Sequence, residues 1–83
     1  MNFFVIEFTA TVNGRDRYFG RLGSSTNGDV DLNDLEETLQ DYYYGALRGV
    51  DKVVIDFNSV SKRTADDFAE DSKRFNWPGL HKL

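Results

Sequence analysis

Apolar and polar residues alternate along the first part of the chain. Glu7, Thr9 and Thr11 point to one side of an extended segment. The apolar series on the other side is Phe4, Ile6, Phe8 and Ala10. A period of two with aromatic and β-branched residues predicts a strand with one face in the core. Phe3 and Val5 make the second face partly apolar as well, so this strand suits the centre of a sheet.

A tight turn is predicted at Asn13 and Gly14, because Asn-Gly is a strong hairpin signal. A two-residue loop would place two arginines of the second strand opposite apolar residues of the first. A three-residue loop of Val12, Asn13 and Gly14, with a β-bulge at the glycine, pairs Phe8 with Tyr18 and keeps one face apolar. We therefore predict the bulged hairpin.

A helix is predicted after a loop over residues 23–28. Either Asp31 or Asn33 can cap its N-terminus, and Gly49 is a natural end. The apolar positions of this helix span an arc of about 140°. They are Leu32, Leu35, Leu39, Tyr42, Tyr43, Ala46 and Leu47.

A third strand is predicted over residues 52–57, followed by a second helix. Thr64 can cap this helix, with Asp66 and Asp67 in its first turn, and residues 76–79 should end it. Its apolar face is narrower and consists of Ala65, Phe68, Ala69, Ser72 and Phe75.

The predicted fold is α+β, with element order β-β-α-β-α and helices packed on a small sheet. A right-handed crossover through the first helix makes strand 3 parallel to strand 2. With strand 1 between them and antiparallel to both, the sheet is three-stranded and antiparallel, in the order 2-1-3. The first helix covers the even-numbered face of strand 1. The second helix either shares that face or covers Phe3, Val5 and Phe19; the sequence leaves both placements open.

Composition indicates one small domain over residues 1–83. The chain is 40% hydrophobic and 14% aromatic, which suffices for one core. It contains no cysteine, which excludes disulfides, thiol catalysis and thiolate metal sites. No apolar run reaches the roughly 18 residues of a membrane span, and the N-terminus lacks the positive segment of a signal peptide. We expect a cytoplasmic protein with no membrane partner.

Two metal-like patterns occur near the first helix. Asp29, Asp31 and Asn33 have the spacing of the first three EF-hand ligands, but Asp34 replaces the turn glycine. In a second register, the stretch NGDVDLNDL resembles the latter half of a dockerin calcium loop. Its leading ligand would be Gly23, which has no side chain. We therefore expect no metal site and no cofactor.

Catalytic motifs are similarly incomplete. Ser59 and Lys62 spell an S-x-x-K motif, but the S-D-N and K-T-G sequences that accompany it in penicillin-binding enzymes are missing. His81, the one histidine, lies among the last three residues. There is no glycine-rich phosphate loop and no zinc spacing. We expect no enzymatic activity.

Negative charge is concentrated in the middle of the chain. The net charge is −4, but residues 29–56 alone carry eight acids against two bases, a net of −6. From Asp29 to Asp41 there are six acids and no base. On a helix, Asp34, Glu37, Asp41, Tyr44 and Arg48 form one ridge opposite the leucines, with successive carboxylates about 4.5–6 Å apart.

This ridge is the strongest candidate for a partner-binding site, although an ordinary solubilising surface would look similar. Tyr44 would add an aromatic contact of the type enriched at interface hot spots. The second helix contributes further acids. The candidate partner-binding residues are Asp31, Asp34, Glu37, Asp41, Tyr44, Asp67, Glu70 and Asp71.

Three arginines on the second strand suggest a competing interpretation. Arg15, Arg17 and Arg21 lie near Tyr18 and Phe19, and arginines with aromatics can hold single-stranded nucleic acid. The alternative is an edge strand protected from aggregation by charge. Because the chain is acidic overall, we expect no direct nucleic-acid binding.

In its size, acidity and missing catalytic groups, the chain is similar in character to small inhibitors that phages and mobile elements encode against host nucleases. Anti-CRISPR and anti-restriction proteins that imitate the charge of DNA are the model. This resemblance implies a non-enzymatic inhibitor that blocks a basic nucleic-acid-binding site on a nuclease complex in the bacterial cytoplasm. The alternatives are an immunity protein against a toxin nuclease and a structural module that oligomerises through its sheet. We expect the protein to be a monomer or a homodimer.

Overall fold

The computed structural model describes residues 1–75. The elements are β1 (Asn2–Val12), β2 (Asp16–Thr26), α1 (Leu32–Ala46), β3 (Val53–Arg63), α2 (Ala65–Asp71) and a 3-10 turn (Ser72–Arg74). The three strands form one antiparallel sheet in the order β2-β1-β3. The predicted α+β fold, element order and sheet order are confirmed.

The even-numbered face of β1 forms the main core, as its alternation predicts. Phe4, Ile6, Phe8, Ala10 and Val12 are all at least nine-tenths buried. α1 packs on this face and contributes Leu39 and Tyr43, which are fully buried. The ring of Phe8 lies over Gly20 of β2, where a Cβ atom would overlap it. Glycine is therefore required at this point because the neighbouring aromatic ring fills its side-chain space.

The predicted register of the hairpin is wrong. Val12 pairs with Asp16, and Phe8 pairs with Gly20 rather than Tyr18. The connection consists of residues 13–15, and the β1–β2 pairing has no bulge. Asn13 itself takes a left-handed φ of 55°, beside Gly14 at 68°, so the turn forms later than predicted. The register moves by two residues, which preserves the parity of the pairing and hence the apolar face.

Asn13 also fastens this turn to the loop between α1 and β3. Its Oδ1 accepts the N–H groups of Asp51 at 2.8 Å and Lys52 at 3.1 Å. Its Nδ2 donates to the carbonyl of Gly49 at 2.9 Å, and its backbone N–H donates to Lys52 O at 2.8 Å. One residue thus joins two connections that are far apart in sequence.

Replacing Asn13 by alanine should cost about 2–4 kcal/mol, because three side-chain hydrogen bonds are lost and alanine is strained at positive φ. Asn13→Gly relieves the backbone strain, and Asn13→Asp keeps the Oδ1 acceptor. Urea denaturation should therefore rank both above Asn13→Ala in stability. A glycine variant as stable as the wild type would show that the side-chain anchor contributes nothing.

Both edge strands are longer than predicted. Residues 23–26 belong to β2 rather than to a loop, because β1 begins at Asn2 and offers pairing partners as far as Thr26. β3 continues six residues past Phe57, and the register shifts between Glu7 and Phe8. Asn58 is the extra residue of the resulting bulge. Before the bulge the odd-numbered residues of β3 face α1, and after it the even-numbered residues do. A search for strict alternation therefore does not recognise the second half of this strand.

Of the two caps that the sequence allowed for α1, Asp31 is the one used, and the helix ends at Ala46 before Gly49 is reached. Leu47, predicted inside the helix, is its C-terminal cap residue and still packs against the core. Gly49 lies in the following loop with φ of 68°.

α2 covers the odd-numbered face of the sheet, which decides the placement that the sequence left open. Phe68 packs on Phe3 with ring centroids 5.0 Å apart, and Phe68 and Phe75 fill the space above Gly23. Thr64 is the cap, as predicted. The predicted apolar face is narrower still, because Ala65, Ala69 and Ser72 are exposed. The predicted end of this helix, residues 76–79, lies outside the described residues.

Candidate functional site

Three carboxylates line the solvent side of α1. Asp34, Glu37 and Asp41 are all exposed, and none of them makes an ion pair within residues 1–75. Their Cα atoms rise about 4.5 and then 6 Å along the helix axis. We call these three residues the acidic face. Like charges at i and i+4 repel, so Glu37 and Asp41 lower the stability of the isolated helix slightly.

Two further candidate residues, Asp31 and Tyr44, lie at the two ends of the acidic face. Asp31 accepts the backbone N–H of Asp34 at 3.1 Å, so its carboxylate is engaged as the helix cap. At the other end, the hydroxyl of Tyr44 donates to the carbonyl of Asp51 at 3.2 Å while 47% of the residue stays exposed. The ring is therefore held in place at the surface. Arg48, predicted on the same ridge, lies beyond the end of the helix.

The first helix is positioned rigidly on the sheet. Leu39 and Tyr43 are inserted into the core, and Gln40 Nε2 donates to the carbonyl of Val53 at 3.1 Å. Burial raises the pKa of Tyr43 to about 12, with smaller contributions from the neighbouring phenols of Tyr42 and Tyr18. Its phenol thus stays protonated at neutral pH. The backbone that carries the exposed carboxylates on the opposite side is therefore anchored to the sheet.

A groove that the sequence did not reveal lies between the start of α1 and the end of β2. Its volume is about 270 Å³. The lining residues are Ser24, Thr26, Asp29, Val30, Asp31, Asp34, Leu35 and Thr38. The groove exists because β2 continues through residues that were predicted to be a loop. Within the described chain, no three histidine, cysteine or acidic residues are grouped to hold a metal ion.

The acids of α2 do not extend the acidic face. α2 lies on the other side of the sheet, and Asp71 bridges Arg63 at 3.1 Å and Arg21 at 3.9 Å. Glu70 pairs with Lys73 at 3.2 Å, while Asp67 is exposed. The candidate residues from the two helices therefore form two separate surfaces, and Asp71 has a structural role in joining α2 to both edge strands.

The arginine cluster is also divided. Tyr18 faces the core and packs on Tyr43 with ring centroids 5.6 Å apart. Arg21 approaches Asp71, and the Nε of Arg15 lies 3.7 Å from the carboxylate of Asp16. Arg15 and Arg17 are both exposed, and Arg17 lies beside the half-buried Phe19 on the odd face. This arrangement lacks the row of aromatics and cations that single strands bind.

The S-x-x-K motif does not form a catalytic pair. Ser59 and Lys62 lie three residues apart on β3, so their side chains point to opposite faces of the sheet. Ser59 Oγ donates instead to Glu7 Oε1 at 3.2 Å. His81 lies outside the described residues.

Among the residues that the structure describes, no helix has the length and apolar content needed to cross a membrane. No protein-family model matches this chain, and no curated protein and no solved structure matches it significantly. Its function has to be inferred from the chemistry of its own surfaces.

Proposed function

We propose that this protein is a non-enzymatic binding protein that uses the acidic face of α1 to occupy a basic site on a partner. The observation that supports it is that Asp34, Glu37 and Asp41 are exposed on one stripe of an anchored helix and make no ion pair within residues 1–75. Solvated helix faces gain stability from mixed charges, so a single-sign stripe is better suited to an external cation.

The preferred partner is a protein whose basic site binds nucleic acid, as in nucleases and the complexes that contain them. The carboxylates are spaced about 4.5 and 6 Å along the axis, which is of the same order as the roughly 3.4 Å rise per phosphate in one DNA strand. A row of negative charge with this spacing, carried on an anchored helix, would compete with a phosphate backbone. The protein would therefore act as an inhibitor.

The proposal is tested by asking what releases a captured partner. Immobilised protein is incubated with bacterial lysate, and retained proteins are identified by mass spectrometry. A nucleic-acid-binding protein that is displaced by added DNA or RNA, and that is not retained when the acidic face is reversed in charge, supports the proposal. A partner retained equally by the charge-reversed chain contradicts it.

A second candidate function, assembly through the sheet, is favoured by the part of the odd face that α2 leaves uncovered. Phe19 is half-buried and Val54 is exposed there, and Arg17 and Asp56 are exposed without an ion pair in the described residues. Cross-strand pairing with Thr11 and Thr9 places these four residues at the corners of one patch. Two copies packed with crossed strands would join each arginine to the other copy's aspartate.

Self-association through this patch is checked by exchanging its charges. Arg17→Asp and Asp56→Arg should each weaken a concentration-dependent dimer seen by sedimentation, and the double variant should restore it because the attraction is re-formed. Variants in the acidic face serve as controls that should leave the dimer unchanged. A chain that stays monomeric at all concentrations excludes this function.

A further inference from the structure

The chain contains two Asn-Gly dipeptides, Asn13-Gly14 and Asn27-Gly28. This dipeptide is chemically labile. The backbone nitrogen of the glycine attacks the side-chain Cγ of the asparagine, a five-membered imide closes, and the amide nitrogen leaves as ammonia. Water then opens the imide to aspartate or isoaspartate. Glycine permits the attack because it has no Cβ and its backbone turns freely. The structure places the two copies in very different surroundings.

Asn13 is held in place. Its side chain accepts two backbone N–H groups, from Asp51 and Lys52, and donates to the carbonyl of Gly49. The adjoining turn is closed by a hydrogen bond from Arg15 N–H to Val12 O at 3.1 Å. Closing the imide requires rotation of both the side chain and the Gly14 peptide. These hydrogen bonds oppose the rotation, so the reaction at Asn13 must wait for local opening.

Asn27 has none of these restraints. It is exposed at the junction between β2 and α1, and its side chain makes no hydrogen bond within residues 1–75. The Gly28 N–H reaches only Thr26 Oγ1, at 3.5 Å, and the space where a Gly28 side chain would lie is open. We propose that Asn27 is a site of spontaneous deamidation in the folded protein, whereas Asn13 is protected by its anchor.

The modification would add a carboxylate next to the acidic run that begins at Asp29, and would change the net charge from −4 to −5. The isoaspartate product also lengthens the backbone by one carbon. Because Asn2 Nδ2 donates to the carbonyl of Gly28 at 3.1 Å, this lengthening would disturb the tie between the start of β1 and the β2–α1 junction. Charge and local order would change together at one end of the groove.

The test compares the two sites within one molecule. Folded protein is incubated at mildly alkaline pH, digested, and analysed by mass spectrometry for conversion of each asparagine. Each of the three side-chain hydrogen bonds of Asn13 should lower about fivefold the fraction of molecules in which its side chain is free to react. Together they predict that Asn27 is converted about a hundredfold faster than Asn13. In concentrated urea the two rates should become similar, since both dipeptides are then unrestrained.

Gly28→Ala is the matched variant. It should slow conversion of Asn27 by hindering attack, leave Asn13 unaffected, and fold normally because a Cβ at Gly28 meets no atom within 4 Å. Equal rates in the folded chain, or an Asn27 that survives unchanged, would overturn the proposal. A difference that persists in urea would also overturn it, because the cause would then be local sequence rather than structure.

Discussion

Changing Asp34, Glu37 and Asp41 together to lysine is expected to abolish partner capture while leaving the fold intact. All three side chains are exposed on the side of α1 away from the buried Leu39 and Tyr43. Reversal turns attraction to a basic site into repulsion. Electrostatic steering raises association rates by about 10- to 1,000-fold, so at low salt the association rate should fall by a factor in that range. Added salt should also slow association of the wild-type protein, because exposed charges are screened over about 8–10 Å.

The matched control reverses three acids on α2: Asp66, Asp67 and Glu70. Each acid-to-lysine change adds two charges, so three changes move the net charge of either variant from −4 to +2. Because α2 lies on the opposite side of the sheet, the control should retain the partner. Circular dichroism and thermal unfolding are used to check that both variants fold. Loss of the partner from the α2 variant alone would move the binding site to the other surface.

The parts of the fold that could be predicted are those in which local pattern and long-range packing agree. The alternation of β1 identified its core face, and the buried Leu39 follows from helical spacing, although the sequence left Asp31 and Asn33 as alternative caps. The core face of the hairpin was predicted correctly although its register was wrong. A shift of the pairing by two residues keeps Phe8 on the same face as its partner. Binary patterning determines faces more reliably than it determines turns.

The unpredicted parts depend on contacts between residues far apart in sequence. Residues 23–26 have the composition of a loop, yet they pair with the start of β1, and Gly23 is covered by aromatic rings from beyond β3. The bulge at Asn58 breaks the alternation of β3 at a point that only its pairing with β1 reveals. The groove beside α1 requires both the longer β2 and the capped helix. Similarly, the acids of α1 and those of α2 lie on opposite sides of the sheet because Phe68 packs on Phe3. Sequence spacing alone could not decide which side α2 covers.

Phe8→Ala is expected to be the most destabilising single substitution considered for this chain. Phe8 is fully buried on the central strand, and truncating a core aromatic costs about 3–5 kcal/mol. Since a domain of this size loses roughly 4–8 °C of melting temperature per kcal/mol, unfolding should begin at much lower temperature. Thr9→Ala, on the opposite face, removes only the hydrogen bond from Asn58 Nδ2 to Thr9 Oγ1 at 2.8 Å and should cost about 1 kcal/mol. Equal losses in urea titrations would mean that the faces are assigned wrongly.

The contact between Phe8 and Gly20 allows a sharper form of this test. Gly20→Ala alone should destabilise the protein, because the new Cβ would overlap the Phe8 ring. Once Phe8 is alanine, the ring is gone and the same change should be tolerated or stabilising by about 0.4–1 kcal/mol, the usual benefit of replacing a glycine whose backbone suits alanine. A double-mutant cycle from chemical denaturation measures the coupling directly. If the two substitutions are additive, the ring of Phe8 does not lie over Gly20, and the register of β1 against β2 has to be revised.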